Sequence, residues 1–105
     1  MEEIEITEIA VLATGEIRVT PVVNWNDFFQ FIYRTATGVV WNETNQSFMS
    51  PVPKDWTVFD WYKNIVGSVI SEMGVLLKVT PKTQWHNVPN NLMQQIESDV
   101  PEINT

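Results

Sequence analysis

The sequence predicts a single α+β domain, spanning residues 1–105, in which helices cover one face of a mostly antiparallel sheet. Three observations predict it: a strongly amphipathic helical stretch, alternating segments near the N-terminus, and prolines and glycines that separate the remaining elements. With 44% apolar residues, the chain has enough apolar side chains for one core. The predicted order is β-β-α-β-β-α-β-α, with an ordered core over residues 3–99 and a frayed tail over 100–105.

Residues 2–13 form the first predicted strand. Apolar and polar residues alternate up to Ile6. Every residue over 9–13 is apolar, so the alternation is lost there. This change indicates either burial on both faces or a β-bulge that shifts the register. Thr14-Gly15 predicts a two-residue hairpin turn into a second strand over residues 16–20.

A short helix and a second hairpin follow. The polar cluster over residues 24–27 predicts a helix start, since asparagine and aspartate cap helix N-termini. The aromatic run that follows also suits a strand, but its spacing favours a helix that ends near Gly38. Residues 39–41 and 47–49 predict two short strands, and the prolines after them predict a rigid connector.

Trp56 to Gly74 contains the central helix of the predicted fold. Thr57 and Asp60 match a variant of the capping box, and Gly74 suits a left-handed C-cap. Gly67 in the middle predicts the close approach of a neighbouring element. Apolar residues recur at steps of three and four, which draws one broad stripe: Val58, Tyr62, Ile65, Val66, Val69, Ile70 and Met73.

The C-terminal third adds a strand over residues 75–80 and a helix that begins at Pro89. Residues 82–88 between them are interpreted as an irregular segment. The helix has a narrow apolar face made by Leu92, Met93 and Ile96.

Composition limits the function classes. The net charge of −7 argues against nucleic acid as a partner, because phosphate backbones require clustered Lys and Arg. No cysteine is present, which excludes disulfides and thiolate chemistry. An acidic N-terminus and the absence of a long apolar run predict a cytoplasmic protein without membrane association. The size and character of the chain suggest a bacterial or phage source.

Residues that could carry catalysis are few. His86 is the single histidine and has no second metal ligand at helical or hairpin spacing, so we expect neither a metal site nor another cofactor. Catalysis by His86 as an acid or base is the competing interpretation. Serine lacks a nucleophile-elbow context and the glycines form no phosphate-binding loop. The sequence therefore predicts a protein that is not an enzyme.

Five tryptophans in a small domain are the unusual feature. The first hypothesis is an acidic binding module that recognises another protein, in the manner of an immunity or adaptor protein. The acidic surface suits a basic partner, but plain solubility is the favoured interpretation of the charge. Its aromatic anchors would be Trp41, Trp56, Trp61, Tyr62 and Trp85. The competing interpretation is that these rings only close the ends of a thin core.

Two further hypotheses remain open. One is a small-molecule pocket between sheet and helices, with walls from Trp41, Trp61, Tyr62 and Trp85 and with Arg34 or His86 orienting the ligand. The other is self-assembly into a symmetric homodimer, which is compatible with either binding function.

Overall fold

A six-stranded mixed sheet packs against three helices in the computed structural model, which describes residues 2–22, 27–34 and 38–99. The α+β class and the order of the eight predicted elements are confirmed, and one strand is added. The strands are β1 Glu2–Val11, β2 Ile17–Pro21, β3 Val40–Asn42, β4 Ser47–Met49, β5 Val75–Lys78 and β6 Gln84–His86. The helices are a 3-10 helix Asp27–Arg34, α1 Val58–Met73 and α2 Asn90–Ser98.

β1 is the central strand. β2 pairs with it in antiparallel orientation on one edge, and β5 and β6 follow one another along the other edge, both parallel to it. β4 and then β3 extend the sheet beyond β2, both antiparallel, which gives the order β3-β4-β2-β1-β5. The sheet is therefore mixed, because the two pairs made by β5 and β6 are parallel.

A β-bulge between Ile6 and Glu8 shifts the register of β1, which agrees with the second of the two alternatives for this strand. Ile9 and Ala10 are consecutive and both buried, which agrees with the first. Ile6 and Ile9 are both fully buried although they are three positions apart, so the bulge returns Ile9 to the core face. Thr83 stabilises the opposite edge of β1 at the position of the bulge. Its hydroxyl donates to the carbonyl of Ile6 at 2.6 Å and accepts from the N–H of Thr80 at 3.0 Å.

The segment over residues 82–88, predicted to be irregular, contains strand β6. The prediction was wrong because three residues are too few to show alternation, and the partner strand β1 is distant in sequence. The first hairpin also differs from its prediction. The N–H of Leu12 donates to the carbonyl of Glu16, so the loop holds three residues, and Gly15 takes the positive φ of +98°.

The first helix is of the 3-10 type and ends at Arg34, before the predicted end near Gly38. Phe29 and Ile32 are both fully buried, and their separation of three residues equals one 3-10 turn. The polar cluster predicted to start this helix lies outside the described residues except for Asp27, as do the predicted tail over residues 100–105 and Trp25.

α1 confirms its predicted start, face and end. The N–H of Asp60 donates to the Thr57 hydroxyl at 3.1 Å, and the Asp60 carboxylate accepts from the N–H of Thr57 at 3.0 Å. These hydrogen bonds, the backbone one first, hold the pKa of the Asp60 carboxyl below its ordinary value. Gly74 ends the helix at φ +65°. α1 packs on β2 and β5, the 3-10 helix on β3 and α1, and α2 on α1.

Gly67 corrects the expectation of a close approach. It is exposed, and a Cβ built there would meet nothing within 4 Å. The glycine in the middle of α1 is thus not explained by packing. Within the ranges that the structure describes, no helix has both the length and the apolar character needed to span a membrane.

Two glycine substitutions in and after α1 are expected to have opposite effects. Gly67→Ala should raise the free energy of unfolding by about 0.5–1 kcal/mol, because alanine loses less backbone entropy and has open space here. Gly74→Ala should lower it by roughly 1–2 kcal/mol, because a Cβ disfavours the left-handed conformation. Urea denaturation of both variants measures the difference, and effects of the same sign would contradict this account.

Candidate functional site

The predicted aromatic anchors lie in different parts of the molecule. Trp41 belongs to the core: its ring centroid is 4.8 Å from that of Phe48 and 5.1 Å from that of Phe29. Both phenylalanines are fully buried, and Trp41 covers them as a half-buried lid on the core. For this residue, the interpretation that the ring closes the end of a thin core describes its packing.

Trp56 and Trp61 form a surface site. Their ring centroids are 4.7 Å apart with an angle of 49° between the planes, and Trp56 is 48% exposed. A cleft of about 340 Å³ lies beside them. We call it the tryptophan cleft, and its lining residues are Pro51, Val52, Lys54, Asp55, Trp56 and Trp61. Because Val52 is also 47% exposed, the cleft presents apolar area to solvent.

The connector that carries the tryptophan cleft is fixed to the sheet. The buried hydroxyl of Ser50 accepts from the N–H of Ile17 at 3.0 Å and donates to the carbonyl of Pro51 at 2.9 Å. The N–H of Ser50 donates to the carbonyl of Ile17 at 3.1 Å, which ties the same two residues a second time. Pro53 lies against Gly15 at the tip of the first hairpin. The predicted rigidity of the connector thus has a structural basis in these contacts and in the fixed φ of proline.

Trp61 occupies its place at an energetic cost. Its indole N–H is buried, and no acceptor for it is found in the part of the chain that the structure describes. A buried donor without a partner costs about 1–3 kcal/mol. Gly38 lies beside the ring and takes a positive φ of +85°, which favours glycine; a Cβ there would lie 3.5 Å from the ring and 3.1 Å from Pro51. Costs of this kind are more frequent at functional sites than elsewhere.

Tyr62 lines a second cavity, of about 340 Å³, between α1, β5 and α2. The side chain is only 3% exposed, and its ring stacks on that of Phe59. Burial first, and then the negative charge of Asp99, raise the pKa of the Tyr62 phenol well above its ordinary value of 10. The phenol is therefore neutral throughout the physiological range.

Trp85 and His86 border a third, open groove of about 620 Å³ on the outer face of the sheet. The Glu8 carboxylate lies there between Arg18, at 2.5 Å, and the Nε2 atom of His86, at 3.2 Å. Sequence reasoning missed Glu8 and Arg18. Their outward positions on the first two strands were readable, but the pairing of β6 with β1 that brings His86 beside them was not.

The small-molecule pocket predicted from the sequence is divided in the structure. Trp61, Tyr62 and Trp85 line three different cavities, and Trp41 packs in the core. Arg34 does not orient toward any of them: its guanidinium lies 4.4 Å from the ring centroid of Phe31. In the described ranges, no three His, Asp or Glu side chains cluster closely enough to hold a metal ion.

Comparisons with known proteins identify one relationship. Residues 5–83 match the family model of the integron cassette protein Hfx_Cass5. The chain is also similar to a solved structure from the mobile metagenome of the North West Arm Sewage Outfall, the integron cassette protein Hfx_Cass5. The identity is 39%, the match covers 92% of this chain and 94% of that one, and the TM-score is 0.45. None of the curated proteins matches the sequence.

Trp56 should be the main site of fluorescence quenching among the described tryptophans. Trp56→Phe is expected to reduce acrylamide quenching of the native protein more than Trp41→Phe or Trp85→Phe. Among the described tryptophans, only Trp56 has an exposed side chain. Stern–Volmer plots of the three variants provide the test. A quenching slope that Trp56→Phe leaves unchanged would show that this ring is not in solvent.

Tyr62 should make stability fall with rising pH in the alkaline range. The unfolded chain releases the phenolic proton near pH 10, whereas the folded chain retains it, so unfolding is favoured as pH rises above about 10. Tyr62→Phe is expected to flatten this loss in urea denaturation at several pH values. Tyr33→Phe is the control, because Tyr33 is 61% exposed. Parallel pH curves for wild type and Tyr62→Phe would contradict the assignment.

Proposed function

Because the chain belongs to the Hfx_Cass5 family of integron cassette proteins, whose description names no activity, we propose its function from the site: a non-enzymatic module that binds another protein through the tryptophan cleft. The partner we infer is a basic protein. The bacterial, cytoplasmic location expected from the sequence is part of this proposal.

The single observation that carries the proposal is Trp56, a half-exposed indole held on a fixed connector. Burying such a ring gains free energy from apolar area, and tryptophan is enriched among residues that dominate binding energy in protein interfaces. The ring already packs on Trp61, and the hydrogen bonds of Ser50 hold the connector. Binding then requires little further ordering, which favours affinity.

The charge distribution supports a basic partner. The chain has 13 acidic and 6 basic side chains, and three of the basic ones are already engaged by carboxylates. The ion pairs are Arg18–Glu8, Lys63–Asp60 and Lys78–Glu3. The excess of carboxylates therefore gives the molecule a negative electrostatic field. Such a field accelerates encounters with a positively charged protein.

The groove that His86 and Glu8 line supports a function without catalysis. His86 is half exposed and contacts the Glu8 carboxylate, which Arg18 also engages. Arg18 already pairs with this carboxylate, and the residues that line the groove include no serine, threonine, cysteine or lysine. We infer that the outer face of the sheet contributes charge and solubility.

Trp56→Ala is the test of the proposal. Immobilised wild-type protein is expected to retain a basic protein from an extract of the source organism, and Trp56→Ala should retain at least about tenfold less, as for an interface hot spot. Tyr33→Ala is the matched control, because it removes an aromatic ring that is 61% exposed and lies outside the cleft.

Ionic strength tests the electrostatic part separately. Retention should fall steeply as salt rises from about 50 to about 500 mM, because screening shortens the range of the acidic field. Equal retention by Trp56→Ala and wild type would contradict the role of the cleft. A flat salt dependence would contradict the basic character of the partner.

Self-association remains a separate prediction. The described sheet ends in β3 on one side and in β5 and β6 on the other, and such edges can pair with a second copy. Sedimentation at micromolar concentration would separate a 12.1 kDa monomer from a species of twice that mass. A monomer alone would remove the homodimer hypothesis.

A further inference from the structure

The indole N–H of Trp61 is the unsatisfied group of the tryptophan cleft. Trp61 lines the cleft, but its N–H is buried and has no acceptor among the described residues. Buried donors are normally paired, so the site is short of one acceptor. The ring of Trp56 lies beside that of Trp61, with the centroids 4.7 Å apart, and it is 48% exposed and outside the core cluster. This ring can therefore turn outward without loss of core packing, and a ligand that enters behind it would supply the acceptor.

An extended proline-rich segment offers the acceptors that the cleft lacks. The polyproline II backbone has no internal hydrogen bonds, so its carbonyl oxygens are free, whereas helices and sheets use theirs internally. Proline also has no N–H, so its burial in the cleft leaves no new donor unpaired. Aromatic-lined grooves recur as sites for such segments, because the preformed conformation loses little entropy on binding. The exposed side chains of Trp56 and Val52 supply this lining.

The charges of the cleft favour a basic segment. Asp55 and Lys54 both line it and are both exposed, and neither forms an ion pair within the part of the chain that the structure describes. Their opposite charges cancel at a distance, so the net charge of −7 on the whole chain makes the surrounding potential negative. A cationic side chain of the partner is therefore attracted to the cleft, where Asp55 can pair with it.

Arginine is the cation that suits this lining. A guanidinium stacks on an aromatic face, best on tryptophan, and it also binds a carboxylate through two parallel hydrogen bonds. The chain makes the stacking contact internally, since the Arg34 guanidinium lies 4.4 Å from the ring centroid of Phe31. Asp55 and Trp56 are consecutive and line the same cleft, so one arginine of a ligand can reach both.

We propose that the tryptophan cleft binds an extended segment of the partner in which arginine stands among prolines. The guanidinium packs on the ring of Trp56 and pairs with Asp55. The prolines pack against Val52 and the Trp61 ring, and one of their carbonyls accepts from the Trp61 N–H. This inference rests on the proposed function, because it names the part of the basic partner that the cleft holds.

Synthetic peptides test the proposal on the full chain. The probe is a blocked octapeptide with arginine at its third and sixth positions and proline elsewhere. One counterpart has alanine in place of proline, and the other has glutamate in place of arginine. We expect saturable binding of the probe in an NMR titration, with a shift of the Trp61 indole N–H signal, which is assigned by its absence in Trp61→Phe. Both counterparts should bind at least about tenfold more weakly.

Two substitutions of exposed charges should have opposite effects. Asp55→Asn is expected to weaken binding of the probe about three- to tenfold, because it removes the carboxylate. Lys54→Gln is expected to strengthen it about twofold, because it removes a like charge. Trp56→Ala should abolish saturable binding. Tyr33→Ala is the matched control and should leave binding unchanged, because it removes an exposed ring that lies outside the cleft.

Several results would overturn the proposal. They are the absence of saturable binding, equal binding of the probe and either counterpart, a Trp61 N–H signal that the bound probe leaves unchanged, or tighter binding by Asp55→Asn. Retention of a basic protein that depends on Trp56 would still stand after such a failure, since the partner would then present another kind of segment. Equal retention by Trp56→Ala and wild type would instead remove the proposed function, whatever the peptides do.

Discussion

The pairing of β1 on both edges is the constraint on which the rest of the structure depends. One edge receives β2 as a local hairpin, and the other receives β5 and β6 from the far end of the chain. The bulge after Ile6 keeps Ile4, Ile6 and Ile9 in the core although it shifts the register of the strand. Thr83 lies between β5 and β6 in the chain, and its buried hydroxyl adds a hydrogen bond to Ile6 to the two strand pairings that join the N-terminal and C-terminal parts of the sheet.

The tryptophan cleft follows from this sheet through one further residue. β2 is placed by β1, and Ile17 at its start makes two hydrogen bonds to Ser50: its N–H donates to the Ser50 hydroxyl and its carbonyl accepts from the Ser50 N–H. Ser50 in turn fixes the direction in which Pro51 leaves the sheet. The exposed Trp56 thus stands on a connector that is positioned by the core, and its surface does not need to be ordered by a partner.

Local patterns were sufficient to predict α1 but not the sheet. Thr57, Asp60 and Gly74 act on backbone groups within one turn of themselves, so their roles are readable from spacing alone. β6 has no such local signal, because its three residues are stable only beside β1, more than 70 residues earlier in the chain. The exposure of Trp56 was likewise beyond the sequence, because it depends on how the Pro51–Pro53 connector leaves the sheet.

The placement of Trp61 and Tyr62 at two different cavities follows from helix geometry. Trp61 and Tyr62 are consecutive in α1, and neighbouring helical residues point in directions about 100° apart. They are therefore poor candidates for walls of one pocket, and the structure places Trp61 at the tryptophan cleft and Tyr62 at the cavity beside α2. α1 thus separates an exposed aromatic surface from a cavity bordered by Tyr62 and by acidic side chains. The two share the helix but no lining residue, so a substitution at a residue that lines one of them changes no lining group of the other.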